Sequence, residues 1–197
     1  MSADYGAALG VSTADFNNDG WIDIHVSNDS TPNQLWINQK NGTFSNTALL
    51  AGTAVSPEGE AKASMGVDAG DIDNDGDEDL IIGELLGQGA DLYVNDGSAT
   101  FSEESARTGI RVPSLAVTTF GAGFLDVDND GWLDIAAVNG AVTHPVEALA
   151  RSGRRDEALA HYRTAVALDP GFDEAYINLG MLSQAAGHPD DARAAFE

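Results

Sequence analysis

The chain contains no cysteine, and only 9 of its 197 residues are lysine or arginine. The first absence removes disulfides, thiolate metal sites and thiol nucleophiles together, and leaves the redox compartment open. The second leaves 32 acidic residues without balance, at a formal net charge of −23. A surface this acidic repels nucleic acid phosphates and anionic membranes, which argues against both as partners. Long apolar runs are missing too: none approaches the roughly 20 residues of a membrane-spanning helix, so no membrane insertion is expected. The N-terminus, Met1-Ser-Ala-Asp-Tyr-Gly6, has neither a basic start nor an apolar core, so no signal peptide is expected in this chain.

What the chain has in excess is aspartate, unevenly placed. Residues 1–143 carry 23 acidic and 4 basic groups, whereas residues 144–197 carry 9 and 5. Much of this acidity lies in three copies of one nine-residue loop: D-F-N-N-D-G-W-I-D at Asp15 to Asp23, D-I-D-N-D-G-D-E-D at Asp71 to Asp79, and D-V-D-N-D-G-W-L-D at Asp126 to Asp134. Loop positions 1, 3, 5 and 9 all bear side-chain oxygens: Asp15, Asn17, Asp19 and Asp23; Asp71, Asp73, Asp75 and Asp79; Asp126, Asp128, Asp130 and Asp134. Glycine at position 6 permits a sharp backbone turn around a cation. Position 7 (Trp21, Asp77, Trp132) is expected to contribute its backbone carbonyl, which leaves its side chain free to vary.

Hard oxygen donors in this number suit Ca²⁺, about three ions in all, one per loop; Mg²⁺ prefers a smaller octahedron and retained water. Two unit charges about 4 Å apart repel by about 4 kcal/mol in an effective dielectric of about 20, so metal-free loops should be strained or partly protonated. The 12-residue loop of an EF-hand is excluded, because its twelfth position would fall on Val26, Ile82 and Ala137. A single loop of this composition is an ordinary Asp/Asn/Gly turn. Three with the same oxygens in the same places are a repeated site.

The loops mark a longer repeat. Asp15 and Asp71 are 56 residues apart, Asp71 and Asp126 are 55 apart, and Gly10, Gly66 and Gly121 each lie five residues before the loop. Leu35-Trp-Ile-Asn38, with Gly42 and Phe44, matches Leu92-Tyr-Val-Asn95, with Gly97 and Phe101. Trp21 to Val26 alternates, with Ile22, Ile24 and Val26 on one face, and Leu80-Ile-Ile82 and Leu133-Asp-Ile135 occupy the equivalent place; Asn41-Gly42 and Asn95-Asp-Gly97 read as hairpin turns. Units of this size suit four-stranded propeller blades.

After Asn139-Gly140 the pattern changes. Gly153 matches Gly187, Ala158 matches Ala192 and Tyr162 matches Phe196, a period of 34. Ala158, Tyr162, Ala165, Val166 and Leu168 fall at helical spacing, Asp169-Pro170 stops that helix, and Ala175 to Ala186 forms the next. The fold class expected is therefore multidomain: all-β propeller-type blades, about two and a half repeats, over 1–143, then an α-helical hairpin segment over 144–197.

Residues 1–140 resemble the FG-GAP/VCBS repeats of integrin-α-like propellers and bacterial surface proteins, especially the cartilage-acidic-protein-like branch. The three D-x-[DN]-x-D-G-x-x-D loops and two L-[WY]-[IV]-N segments carry that resemblance. Residues 146–197 resemble tetratricopeptide repeats (TPRs), through Gly153, Ala158, Tyr162, Ala165 and Pro170 and then Tyr176, Leu179, Gly180, Gly187, Ala192 and Phe196. The first resemblance implies Ca²⁺ between two strands of a blade and a secreted, periplasmic or cell-surface location; the second implies a protein or peptide partner. Both repeats are incomplete, which suggests a fragment or a fusion of truncated pieces. Open sheet edges would then favour self-association.

Nothing points to catalysis. The paired aspartates could serve a glycosidase, but no second constellation converges on them. His25, His144, His161 and His188 share no motif, no G-x-S-x-G elbow occurs, and Trp21, Trp36, Tyr93 and Trp132 sit at recurring positions that blade packing explains. Arg151, Arg154 and Arg155 form a small basic cluster of the kind found on solvated helix faces. The function expected is a non-enzymatic calcium-binding module for protein–protein or cell-surface and matrix interaction, with carbohydrate a further ligand class. Two alternatives stay open: the propeller part of a secreted enzyme acting on polysaccharide or lipid, and an intracellular TPR scaffold.

Overall fold

The computed structural model describes residues 6–140, 154–168, 171 and 173–196. His144, Arg151, Gly153, the Asp169-Pro170 stop and the side chain of Phe196 lie outside the described residues. The chain divides into two compact units, Met1–Gly140 and Ala141–Glu197.

The first unit is built from antiparallel meanders. Strands β1 (Ala8–Ala14), β2 (Asp23–Asn28), β3 (Gln34–Asn38) and β4 (Phe44–Asn46) form one sheet in chain order. β5 (Ser64–Gly70), β6 (Asp79–Glu84), β7 (Asp91–Asn95) and β8 (Phe101–Glu103) repeat it. β9 (Thr118–Leu125) and β10 (Asp134–Gly140) form a two-stranded third copy. Each acidic loop joins the first two strands of its sheet. The β3–β4 and β7–β8 turns close at Gly42 (φ 82°) and Gly97 (φ 78°), a left-handed conformation that glycine adopts without steric cost. Among the described residues the sheets are open and do not close into a barrel. Short helical turns α1 (Ala48–Ala51), α2 (Ser105–Thr108) and α3 (Arg111–Ser114) follow the fourth strands.

Sheets pack face to face in series. Phe16 of the first loop and Leu35 of the first sheet meet Leu80, Ile82, Tyr93 and Phe101 of the second, and Phe16 stands edge-on to Phe101 at 5.8 Å. On the far side of the second sheet, Ile81, Ala90 and Leu92 pack against Ala122, Phe124 and Ile135 of the third. Both faces of a middle sheet are thus apolar.

The alternation of β2 leaves open which of its faces is covered. Its buried side chains are Asp23, His25, Ser27 and the terminal Asn28, while Ile22, just before the strand, stands exposed and Ile24 and Val26 are half-buried. The polar face is the one that the second sheet covers.

The recurring glycines explain how close the sheets come. A Cβ on Gly10 would lie 2.3 Å from the Met65 carbonyl oxygen, and one on Gly66 would lie 2.6 Å from Gly121 Cα and 2.7 Å from the Phe120 oxygen. The same atom on Gly121 would meet only Val138 Cβ, at 4.0 Å. Backbone faces backbone at the first two, so neither neighbour can yield cheaply.

Glu84, at the end of β6, is buried. Its Oε1 accepts the Ser64 hydroxyl at 2.8 Å, and Oε2 has no protein partner. Burial, and then the nearby Asp91 carboxylate, push its pKa up to about 8. Asp91 itself is paired with Lys62 and Arg111.

In the second unit, α4 (Arg155–Leu168), α5 (Asp173–Ala185) and α6 (Pro189–Phe196) follow one another. Their core is Ala158, Leu159 and Tyr162 from α4 with Ala175 and Leu179 from α5, and Arg163 pairs with Asp191 at 2.7 Å. Arg154 is exposed and paired with Glu157. Among the described residues, no helix is long and apolar enough to cross a membrane.

Two outcomes follow from this packing. Gly66→Ala should destabilise the first unit by about 1–3 kcal/mol, as over-packing does, while Gly121→Ala should stay within about 0.5 kcal/mol of wild type; urea unfolding of both variants is the measurement. A raised pKa means that protonation of Glu84 stabilises the fold, fully below its ordinary value of 4.5 and less and less as pH rises through about 8. Glu84→Gln should therefore match wild type near about pH 5 and melt higher than wild type near about pH 9.

Candidate metal centre

All three loops adopt one backbone. The position-4 asparagines, Asn18, Asn74 and Asn129, have φ of 56°, 61° and 58°, and the glycines that follow two residues on have φ of 84°, 95° and 89°. The position-1 carboxylate holds that turn by accepting two backbone N–H groups. Asp15 accepts from Asp19 and Gly20 at 2.9 and 2.6 Å, Asp71 from Asp75 and Gly76 at 3.0 and 2.9 Å, and Asp126 from Asp130 and Gly131 at 3.1 and 3.0 Å. Position 5 accepts from position 7 in each copy: Asp19 from Trp21 N (3.0 Å), Asp75 from Asp77 N (3.0 Å) and Asp130 from Trp132 N (2.8 Å).

The position-9 aspartate begins the second strand and binds backbone on two sides. Asp23 accepts Phe16 N at 3.2 Å and Asn38 N at 2.8 Å. Asp79 accepts Ile72 N at 3.0 Å and Asn95 N at 2.8 Å. In the third copy, Asp134 Oδ2 accepts Val127 N at 3.1 Å.

The loops differ in how their oxygens cluster. Carboxylate oxygens of Asp71, Asp73 and Asp79 lie within 4.8 Å of one another, as do those of Asp126, Asp128 and Asp130. Either group is close enough to share one cation. Asp75 and Asp77 stand outside the second-loop group, and Asp134 stands outside the third. Among the described residues the first loop forms no such triad of acidic groups. There Lys40 Nζ lies 3.2 Å from Asp19 Oδ2, and Asn17 replaces an acid, donating to Asp19 Oδ2 at 3.0 Å. Asn17 Oδ1 is buried with no protein partner.

Burial pushes the Asp79 pKa up to about 6 despite its two backbone donors. Asp73 is raised by burial and then by Asp75, and Asp23 by burial. At Asp19 the desolvation effect is outweighed by the Lys40 and Asn17 hydrogen bonds, and the carboxyl is held below its usual range. Carboxylate and amide oxygens alone, with no nitrogen or sulfur donor, are a set for a hard cation.

Several participants escape a reading of the loops alone. Asn38 and Asn95 supply the second backbone donor to Asp23 and Asp79, and their recurrence in the L-[WY]-[IV]-N segments was the available signal. Neighbouring loops are also latched: Asn18 Nδ2 donates to Asp77 Oδ1, and Asn74 Nδ2 donates to the Gly131 carbonyl at 3.4 Å. Lys40 carries no motif, and only the fold brings it to Asp19.

The remaining singled-out residues fall in separate places. Tyr93 is buried and Trp36 half-buried, but Trp21 and Trp132 are 48% and 53% exposed, so packing does not account for those two. His25 is buried with neither ring nitrogen bonded, and burial depresses its pKa to about 3, so it is a neutral packing group. His161 and His188 are exposed.

Comparison with known proteins gives the same two-part picture. Residues 15–82 match the FG-GAP-like repeat family, and residues 149–197 match the tetratricopeptide repeat family. The chain is similar to cartilage acidic protein 1 of Mus musculus, with 32% identity over 134 residues, 66% of this chain. The match spans only 19% of that relative. By these matches the chain carries an FG-GAP-like repeat at residues 15–82 and a tetratricopeptide repeat at residues 149–197.

Proposed function

We propose that the chain is a non-catalytic protein-interaction module whose first unit is stabilised by about three calcium ions, one per acidic loop. The observation that carries this reading is the threefold recurrence of one loop backbone, two copies of which gather three carboxylates within 4.8 Å. Asp15, Asn17, Asp19 and Asp23 would ligate the first ion, Asp71, Asp73, Asp75 and Asp79 the second, and Asp126, Asp128, Asp130 and Asp134 the third. The carbonyls of Trp21, Asp77 and Trp132 would complete the shells. Calcium here is structural: it neutralises carboxylates that repel one another and pins the first strand of each sheet to the second.

Apart from the buried Asp23 and Asp79 and Phe16, the loop residues are exposed or half-buried, which favours weak sites filled where calcium is abundant. Extracellular modules bind it with Kd of about 10⁻⁴–10⁻³ M. A secreted, periplasmic or surface location, the one the resemblance implies, would supply calcium at that level. The helical unit supplies a second surface for a protein or peptide partner.

Calorimetric titration of the chelator-stripped chain with calcium should register about three ions, with a gain of β signal in far-UV circular dichroism. Asp73→Ala and Asp128→Ala should each lower the stoichiometry by one, while Asp77→Ala, which keeps its carbonyl, should not. Unchanged stoichiometry in both of the first two variants would overturn the ligand assignment, and no saturable binding at millimolar calcium would overturn the calcium reading itself.

A further inference from the structure

Among the described residues the third sheet ends at β10, and the two complete sheets define what belongs beside it. In the first sheet, β2 pairs with β3 so that Ile24 faces Trp36, His25 faces Leu35 and Val26 faces Gln34. In the second, β6 pairs with β7 so that Leu80 faces Tyr93, Ile81 faces Leu92 and Ile82 faces Asp91. Ile135, Ala136 and Ala137 hold the same places on β10, one to three residues after the loop's closing aspartate. Among the described residues, β10 pairs with β9 alone.

Two features of the third sheet fit a strand in that place. Tyr93 packs with Leu80 and Ile82 against the preceding sheet. At the corresponding spot a cavity of ≈ 380 Å³ opens, lined by Ile81, Ala90, Ile110, Ala122, Ile135 and Ala137 among others. An aromatic residue placed opposite Ile135 would enter it, since side chains opposite one another in an antiparallel pair share a face. The second feature is Asp134. Asp23 and Asp79 each accept an N–H from the asparagine two residues after the aromatic, whereas the only bond described for Asp134 is the one from Val127 N.

We propose that the edge of β10 left unpaired among the described residues is a docking site for an extended segment of a partner protein that carries the repeat's own third-strand pattern, leucine, aromatic, β-branched residue, asparagine. The segment adds antiparallel to β10, its main chain completing the ladder. Leucine lies opposite Ala136, the aromatic ring fills the cavity, and the asparagine N–H reaches Asp134. The surrounding acidity selects against acidic partners and favours a neutral or basic one. This names a partner for the interaction module proposed above and rests on that reading. The calcium titration reports on the loops and the test below on the edge, so a failure of either is distinguishable from a failure of the other.

The probe is a labelled peptide with the sequence of residues 33–47, which contains Leu35-Trp36-Ile37-Asn38, one lysine and no acid. Fluorescence anisotropy against the full chain in calcium buffer should show saturable binding. Trp36→Ala or Asn38→Pro in the peptide should each weaken it by about tenfold or more, as should Ala137→Phe in the chain, which fills the cavity. The peptide variants leave the chain's folding untouched, and circular dichroism checks the chain variant. Binding of a scrambled peptide with equal affinity, absence of binding, or binding undiminished by Ala137→Phe would overturn the proposal. Concentration-dependent dimers that Ala137→Phe abolishes would assign the edge to a second copy and overturn it equally.

Discussion

A carboxylate at the head of the second strand organises each of the two complete repeats. Asp23 and Asp79 are buried, and each ties three stretches of chain together: the residue after the loop's first aspartate, the strand it begins, and the asparagine that ends the third strand. Burying a charge is costly unless it is bonded, and two backbone donors offset only part of that cost, which is why the Asp79 pKa remains raised. A cation at the loop would supply the remainder. Loop and sheet are therefore not independent: what steadies the aspartate also fixes where the third strand lies.

The second constraint is spacing between sheets. Interior packing is dense enough that one added carbon is felt, and at Gly10 and Gly66 the first strands approach until no carbon fits. The Asn18 and Asn74 side chains bridge consecutive loops at the same end of the sheets. Glycines and asparagines thus set the stacking, while Leu80, Ile82, Tyr93 and Phe101 fill the space it defines.

Much of this was legible in the residues. The phase of Asp15, Asp71 and Asp126 gave the repeat, the alternating segments gave the strands, and the 34-residue spacing gave the helices at Arg155–Leu168 and Asp173–Ala185. The three loops had equivalent backbones, as their shared Asn-Asp-Gly core implied. What escaped was set by neighbours. Alternation in β2 identified two faces but not which one another sheet would cover, and the polar face of Asp23, His25 and Ser27 turned out to be the buried one. Trp21 and Trp132 occupy matched positions yet stay half exposed, so a recurring aromatic in the repeat did not mark a packed one. Lys40 reaches Asp19 across 21 residues of sequence through the β2–β3 pairing, a contact no local pattern encodes.

The serial packing also has a direction in time. Phe16, in the first loop, is covered by Phe101, and its carbonyl accepts Ala99 N at 2.9 Å and Asn95 Nδ2 at 2.9 Å. On a ribosome, which releases the chain from its N-terminus, the first acidic loop can be made long before the residues that seal it. Each repeat waits for the following one, so the nascent chain carries an unfinished hydrophobic face forward by one unit at a time, and that moving face is where a chaperone would find it.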